Sequence, residues 1–288
     1  MPLPYALLVT PLDAGDPLGD MDATLEEIAL DAPAVSLGDA GLQRGDGIFE
    51  TIGVVDAHAQ DVTAHLERFA QSAALCDLPR PHAGQWRAAI ARASARCPQG
   101  EAMLRLTLSR GGTAWIVADA VPDHTRVREE GVRVVTLDRG IDSGVPERAP
   151  WLLLGAKTLS YAVNMAALRE ARRRGADDVV FVASDGVLLE GPTSSVVLRL
   201  GDRFVTPRTS LGILRGTTQL AAFAYLEDAG FETAEEILPV AALADAEAAW
   251  LLSSVRLAVP VRAVDGVPHA VDAPLTAALN AHLLARRG

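Results

Sequence analysis

Lysine is almost absent from this chain. Of its 26 basic residues, 25 are arginine and one is lysine, Lys157. A genome that favours arginine codons accounts for the arginines, but it leaves the one exception to be explained. Arginine stays protonated, whereas lysine can lose its proton and react as an amine with a carbonyl group. Lys157 is therefore a candidate for amine chemistry, and the alternative is a leftover surface lysine.

Other features that the sequence lacks argue against whole classes of protein. No run of eighteen apolar residues occurs, so we expect no membrane span. The net charge is −11 and aromatic residues make up 5% of the chain, which disfavours nucleic-acid binding by charge or by stacking. The opening stretch MPLPYALLVTPLDAGD has no basic region of the kind that begins a signal peptide. We therefore expect a cytoplasmic protein.

Metal ligands in a recognisable spacing are also missing. Cys76 and Cys97 are far apart, and the six histidines are scattered along the chain. We expect no metal site, and two buried or idle thiols in a reducing compartment.

The chain has 288 residues and is 49% hydrophobic, which is about twice the length of a typical domain with an ordinary globular core. Strands and helices alternate with several hairpins, which predicts a mixed α/β (α+β) fold in two domains. We place a smaller N-terminal domain at 1–122 and a larger C-terminal domain, carrying Lys157, at 128–288. The polar, proline-containing stretch Asp119–Glu130 is the predicted linker.

Periodicity predicts the elements around the candidate residues. Apolar spacing predicts a helix over Asp61–Leu78, and Ala34–Leu37 and Gly47–Val55 are predicted as strands. Trp151–Ala156 is predicted as an apolar strand that delivers Lys157 to the loop before a helix over Ser160–Arg174. Two strands around an Asp185-Gly186 turn predict a hairpin.

Three further features carry possible chemistry. Glu190 ends the second arm of that hairpin, either as an exposed strand end or as a carboxylate for a cationic ring nitrogen. The stretch Gly212–Thr218 is predicted to open a helix over Arg215–Ala229, and the free amides of a helix start suit a phosphate. Arg68 lies on the helix predicted over Asp61–Leu78. It is either a binding residue or an ordinary arginine that faces solvent.

Taken in order, these pieces resemble one family. The motifs are RGDGIFET, HLERF, KTLSYAVNMAALREA, GADDVVFVASDGVLLEG, TPRTSLGILRGTT and SSVRLAVPV. The chain resembles the fold-type IV pyridoxal-phosphate enzymes, the class IV aminotransferases, and among them the actinobacterial 4-amino-4-deoxychorismate lyases. The resemblance implies a pyridoxal 5′-phosphate cofactor at a domain interface and a homodimer.

The resemblance also implies roles for individual residues. Lys157 would form the Schiff base with the cofactor and then move protons, and Glu190 would pair with the pyridine nitrogen. The remaining cofactor contacts follow the same family pattern: Arg68, the amides of Ile213 and Leu214, and Ser254 at the phosphate, with Tyr161 near the phenolic oxygen.

Two departures from the family pattern concern the substrate. Ser195 stands where the family often has asparagine, and the second arginine of the motif that begins Ser109-Arg110 is missing. Carboxylate recognition must then come from another arginine. The candidates are Arg110, Arg105 and Arg256, and we favour Arg110; for each, a structural ion pair is the alternative.

The implied reaction is elimination of pyruvate from 4-amino-4-deoxychorismate to give 4-aminobenzoate for folate synthesis. A transaminase of branched-chain or D-amino acids would use the same apparatus, so the sequence separates the two reactions poorly. A non-catalytic protein that binds pyridoxal phosphate, or that has lost it, is a third alternative, and the retention of Lys157 argues against it.

Overall fold

The computed structural model describes residues 4–17 and 19–287. The predicted domain limits at 1 and 288 therefore lie outside the described residues. The chain divides into two compact units. The first contains the described residues up to Pro122, with Ala156–Tyr161, Arg286 and Arg287. The second contains Asp123–Gly155 and Ala162–Ala285.

In its described part, the first unit is built on a six-stranded antiparallel sheet with strand order β2-β1-β6-β5-β3-β4. Leucines alternate along β5 so that Leu104, Leu106 and Leu108 are buried while Arg105 is exposed, as a half-buried strand requires. The strands are β1 (Tyr5–Val9), β2 (Leu25–Ile28), β3 (Gly47–Val55), β4 (His58–Ala59), β5 (Glu101–Ser109) and β6 (Ala114–Ala120).

Two helices of the first unit pack against each other and against its sheet. Phe69 and Trp86, from two different helices, meet edge to face with ring centroids 5.0 Å apart, and both are fully buried. The first helix begins after Asp39, whose carboxylate accepts from the amides of Gly41 and Leu42. The helices are α1 (Ala40–Arg44), α2 (Val62–Leu75) and α3 (Ala83–Ser94), with a 3₁₀ turn at Asp22–Thr24.

The second unit contains a mixed sheet of eight described strands, in the order β11-β10-β9-β12-β13-β7-β8 with β14 beside β13. Parallel pairing occurs between β10 and β11, β13 and β7, and β7 and β8. The strands are β7 (Val132–Asp138), β8 (Asp178–Val182), β9 (Ser195–Leu200), β10 (Arg203–Pro207), β11 (Glu232–Glu236), β12 (Ala248–Ser253), β13 (Leu257–Val264) and β14 (Val267–Pro268).

Apolar clusters lie on both faces of this sheet, which explains why its strands read as nearly continuous hydrophobic runs. The helices are α4 (Thr125–Glu130), α5 (Val145–Arg148), α6 (Ala162–Arg173), α7 (Thr217–Asp228), α8 (Ala241–Asp245) and α9 (Ala273–Ala285), with 3₁₀ turns at Pro150–Leu152 and Thr209–Leu211. No helix in the described part of the chain is long and apolar enough to cross a membrane.

The mixed α/β class is confirmed, but two predicted strands are wrong. Ala34–Leu37 consists of bends and turns, and Leu37 is 83% exposed. Trp151–Ala156 begins in a 3₁₀ turn and then passes through Leu153 and Gly155, both with positive φ, so it cannot be extended. The predicted linker is shorter than expected, because β6 runs to Ala120 and α4 occupies Thr125–Glu130.

Lys157 reaches its position by pairing with β3. The amide of Phe49 donates to the Lys157 carbonyl (3.0 Å), and the amide of Leu159 donates to the Gly47 carbonyl (2.9 Å). Ile48 and Thr158 form a bridge between these two bonds. The segment Ala156–Tyr161 therefore groups with the first unit, whereas the sequence assigned Lys157 to the C-terminal domain.

Candidate active site

The amine of Lys157 lies against two aromatic rings. Its Nζ is 4.5 Å from the ring centroid of Phe49 and 5.8 Å from that of Tyr161. The two rings meet edge to face, with centroids 5.2 Å apart and an interplanar angle of 89°. A cation in this position is attracted by the ring quadrupoles. The half-buried lysine thus has a defined location beside two aromatic rings.

Arg68 occupies a buried position on α2, not the solvated face that was its alternative. Its side chain is 9% exposed. Its Nε donates to Glu50 Oε1 and its Nη2 to Glu50 Oε2, each at 2.7 Å. His65, one turn earlier on α2, contacts the same Oε2 through Nδ1 at 2.8 Å. The third guanidinium nitrogen of Arg68, Nη1, lies outside this fork, and the fork fixes the plane in which Nη1 points.

The charges of this cluster follow from its surroundings. Burial alone would raise the pKa of the Glu50 carboxyl, but the Arg68 guanidinium and then His65 hold that pKa far below its ordinary value. Burial, aided by the Arg68 charge, holds the pKa of His65 below its ordinary value, although the contact with Glu50 opposes this shift. At neutral pH, Glu50 is therefore ionised and His65 is neutral. Because a carboxylate only accepts hydrogen bonds, the His65 proton must sit on Nδ1.

Glu190 lies where the hairpin prediction placed it, in the second unit. Around the turn at Gly186, backbone bonds join the two arms, and the Glu190 carbonyl accepts from the amide of Phe181 (2.9 Å). Its carboxylate Oε2 accepts from the amide of Leu214 at 3.1 Å. A backbone donor thus orients the carboxylate that the sequence singled out.

The stretch Gly212–Thr218 contains a turn before its helix. Gly212 has φ +73°, and its Cβ would come within 2.7 Å of Leu154, so only glycine fits there. Helix α7 begins at Thr217, three residues later than Leu214. Ile213 and Leu214 therefore belong to the turn, and the amides at the helix start are those of Thr217 and Thr218.

Hydroxyl groups surround this helix start. Thr217 Oγ1 and Ser254 Oγ are 3.4 Å apart. The hydroxyl of Thr218, the second residue of α7, is buried and finds no hydrogen-bond partner among the described residues. Buried polar atoms require a partner, and a helix start with hydroxyls suits a phosphate dianion. The chain therefore fits the phosphate of pyridoxal phosphate at this end of α7.

The three candidate arginines differ in what holds them. All three nitrogens of Arg110 donate, to Asp46 Oδ2 (2.6 Å) and to the carbonyls of Cys76 and Asp77. Arg256 donates to the buried Asp178 (2.6 Å). Arg105 is exposed on β5, and its Cζ is 5.7 Å from the centroid of the Phe49 ring that also faces Lys157 Nζ. The structure thus gives a reason to rank Arg105 above Arg110.

Sequence reasoning did not single out Glu50, His65 or Thr218. The available signal for the first was an acidic residue in the apolar strand GIFET, followed by His65 and Arg68 at helical spacing. Among residues 4–17 and 19–287, no three His, Cys, Asp or Glu side chains are grouped so that they could hold a metal ion.

Comparisons with known proteins identify the family of this chain. The sequence model of the amino-transferase class IV family matches residues 47–264. The chain belongs to the class IV aminotransferases. It is 44% identical, over 81% of its length and 87% of the relative, to the bifunctional aminodeoxychorismate lyase / D-amino acid transaminase of Mycobacterium tuberculosis.

Solved structures extend the likeness to the whole chain. A fold IV transaminase of Curtobacterium pusillum has 48% identity and a TM-score of 0.92, covering 98% of this chain and 99% of that one. A hypothetical aminotransferase of M. tuberculosis in its PLP-bound form has 40% identity and a TM-score of 0.87, covering 97% and 99%. The fold-type IV assignment and the pyridoxal-phosphate cofactor of the family are thereby confirmed.

Proposed function

We propose that this class IV enzyme is a 4-amino-4-deoxychorismate lyase, which eliminates pyruvate from its substrate and leaves 4-aminobenzoate for folate synthesis. The observation that carries the proposal is the 44% identity to a relative whose name includes this activity, over 81% of the chain. The defined position of the Lys157 amine supports the chemistry. The homodimer, which the resemblance implies, and the cytoplasmic location, which the sequence composition suggests, stay predictions.

Lys157 is the proposed catalytic base. Bound pyridoxal phosphate supplies an electron sink for the substrate carbon that loses its proton. The neutral Lys157 amine accepts the proton from the amine-bearing ring carbon, and the bond from the ring to the enolpyruvyl oxygen breaks. The ring becomes aromatic, and the enolpyruvate that leaves takes up a proton, in net terms the one that Lys157 accepted, to become pyruvate. Because aromatisation drives the reaction, the protein has chiefly to orient the C–H bond toward Nζ.

The residues proposed to hold the cofactor contact its pyridine nitrogen, its phosphate or its phenolic oxygen. Glu190, oriented by the Leu214 amide, would keep the pyridine nitrogen protonated by its charge. Arg68 would contact the phosphate. At the phosphate, the hydroxyls near the start of α7 add Thr217 and Thr218 to the predicted Ile213 and Ser254, whereas the Leu214 amide, predicted at the phosphate, donates to Glu190 instead. Tyr161, beside Lys157, is the proposed neighbour of the phenolic oxygen.

Arg105 is the proposed anchor for a substrate carboxylate. It is exposed, and it shares the Phe49 ring with Lys157. Arg110 would first have to give up Asp46 and two backbone carbonyls, and Arg256 would have to leave the buried Asp178 without its partner. Arg105 carries neither cost.

A transaminase of D-amino acids is the second candidate. The M. tuberculosis relative bears both names, and the C. pusillum structure at 48% identity is named a transaminase. Both reactions need the same lysine to move a proton at the carbon that bears the amine. One protein can therefore carry both activities, at different rates.

A side-by-side assay tests the proposal. The purified protein is incubated with 4-amino-4-deoxychorismate, and separately with L- and D-amino acids plus 2-oxoglutarate, while 4-aminobenzoate and glutamate are measured. We expect 4-aminobenzoate to form, and the Lys157→Arg variant to form none, because a guanidinium cannot act as this base. Formation of glutamate without 4-aminobenzoate would contradict the lyase proposal and support the transaminase. Neither product, with no visible cofactor band, would support the non-catalytic alternative.

A further inference from the structure

The position of the Lys157 amine depends on how its backbone is held. The side chain has four rotatable methylenes, so the anchor of its Cα limits the volume that Nζ can reach. Both backbone polar groups of Lys157 are bonded within the first unit. Its carbonyl accepts from the amide of Phe49 on β3 (3.0 Å), and its amide donates to Ser72 Oγ on α2 (3.1 Å). The first bond is part of a strand pairing, whereas the second depends on a single side chain.

Ser72 lies on the same face of α2 as Arg68 and His65. It is 1% exposed and lies one turn beyond Arg68 and two turns beyond His65. Residues three and four apart share a helix face, so these three polar side chains form one buried stripe. Glu50 on β3 holds His65 and Arg68, and Ser72 holds the lysine backbone. The helix that supports the proposed phosphate ligand therefore also supports the only lysine.

We propose that Ser72 is a positioning residue for Lys157, and that its hydroxyl keeps the lysine backbone in the register from which Nζ reaches the cofactor aldehyde. The inference rests on the proposed role of Lys157. Without the Ser72 acceptor, the Lys157 amide loses this bond, and the backbone at Lys157 keeps its pairing with Phe49 on β3. The amine then samples more positions, while the contacts of Arg68 with Glu50 stay unchanged.

The test measures how fast the apoprotein captures two aldehydes. Pyridoxal 5′-phosphate engages both the phosphate ligands and the lysine, whereas pyridoxal lacks the phosphate. Capture is followed by the absorbance band that appears when the amine and the aldehyde join. Ser72→Ala removes the acceptor with little change in volume. Ser94→Ala is the matched control, because Ser94 is 6% exposed and its hydroxyl bonds only locally, to the Ala91 carbonyl on α3.

We expect Ser72→Ala to slow capture of both aldehydes by about fivefold, the usual consequence of losing one hydrogen bond. Ser94→Ala should match the unaltered protein, and Ser72→Thr, which keeps the hydroxyl, should capture faster than Ser72→Ala. Arg68→Ala should impair capture of pyridoxal phosphate much more than capture of pyridoxal, because only the first aldehyde carries a phosphate. Amide exchange in α2, measured on each variant, checks that the helix stays folded.

Three results would overturn the inference in distinguishable ways. Equal rates for Ser72→Ala and Ser94→Ala would remove Ser72 from lysine positioning. Slower capture of pyridoxal phosphate alone would mean that Ser72 acts through Arg68. Undiminished capture by Lys157→Ala would overturn the proposed role of Lys157 itself, whatever the Ser72 variants do.

Discussion

The buried pair of Glu50 and Arg68 provides a quantitative prediction. Glu50 has no exposed surface, and it accepts two bonds from Arg68 and one from His65. Breaking a buried pair by removing one partner costs about 3–5 kcal/mol, because the other charge stays buried without compensation. Glu50→Gln and Arg68→Met should each destabilise the first unit by about that amount. The double variant buries neither charge. Its loss of stability should therefore be about 2–3 kcal/mol smaller than the sum of the two single losses.

Amide hydrogen exchange of the apoprotein, read on peptides from α2 and β3, measures these free energies. It is preferred to a single melting curve because a chain with two compact units need not unfold in one step. The exposed pair of Arg126 and Glu130, 83% and 57% exposed, serves as the control and should show a coupling of about 0.5 kcal/mol or less. A coupling that small between Glu50 and Arg68 would refute the argument from burial.

Three further outcomes are expected. Glu190→Gln should bind the cofactor but turn over at least tenfold more slowly; a rate equal to that of the unaltered enzyme would make Glu190 an ordinary strand-end residue. Burial depresses the pKa of His65 in the folded state, so the unfolded chain binds a proton at His65 more readily than the folded chain does. The free energy of unfolding should therefore decrease as the pH falls below about 6.5, by at most about 1.4 kcal/mol per pH unit. His65→Asn, which still offers Glu50 a donor, should lack this loss in amide exchange between pH 7 and 5; the same slope in both proteins would contradict the assignment. Arg105→Met should raise the KM for 4-amino-4-deoxychorismate about 10- to 100-fold with an unchanged cofactor spectrum, whereas Arg110→Met should leave the KM unchanged. A higher KM in Arg110→Met and an unchanged KM in Arg105→Met would make Arg110 the substrate anchor.

Much of the fold could be predicted because the sequence is locally consistent. The strand over Gly47–Val55 was predicted at its observed limits, and the helix that carries Arg68 was predicted within three residues. The hairpin that ends at Glu190 follows from its Asp-Gly turn, where Gly186 adopts φ +84°. In each case the local signal and the packing agree.

The remaining features depend on distant contacts. Composition alone cannot distinguish an apolar turn from a strand, and Trp151–Ala156 turns because Leu153 and Gly155 take positive φ. The pairing of Lys157 with β3 joins residues about a hundred positions apart, which periodicity does not report. Glu50 was missed for the same reason, since its partners His65 and Arg68 face it only in the folded unit.

Reductive trapping tests the central claim, that Lys157 is the lysine of a pyridoxal-phosphate enzyme. The protein is loaded with pyridoxal phosphate, reduced with borohydride and digested with trypsin, and its peptides are weighed. Because a modified lysine resists trypsin, the account predicts one labelled peptide, running uncut from Ala149 to Arg169. A label at the amino terminus alone, or complete cleavage after Lys157 in protein that shows the cofactor band, would contradict it.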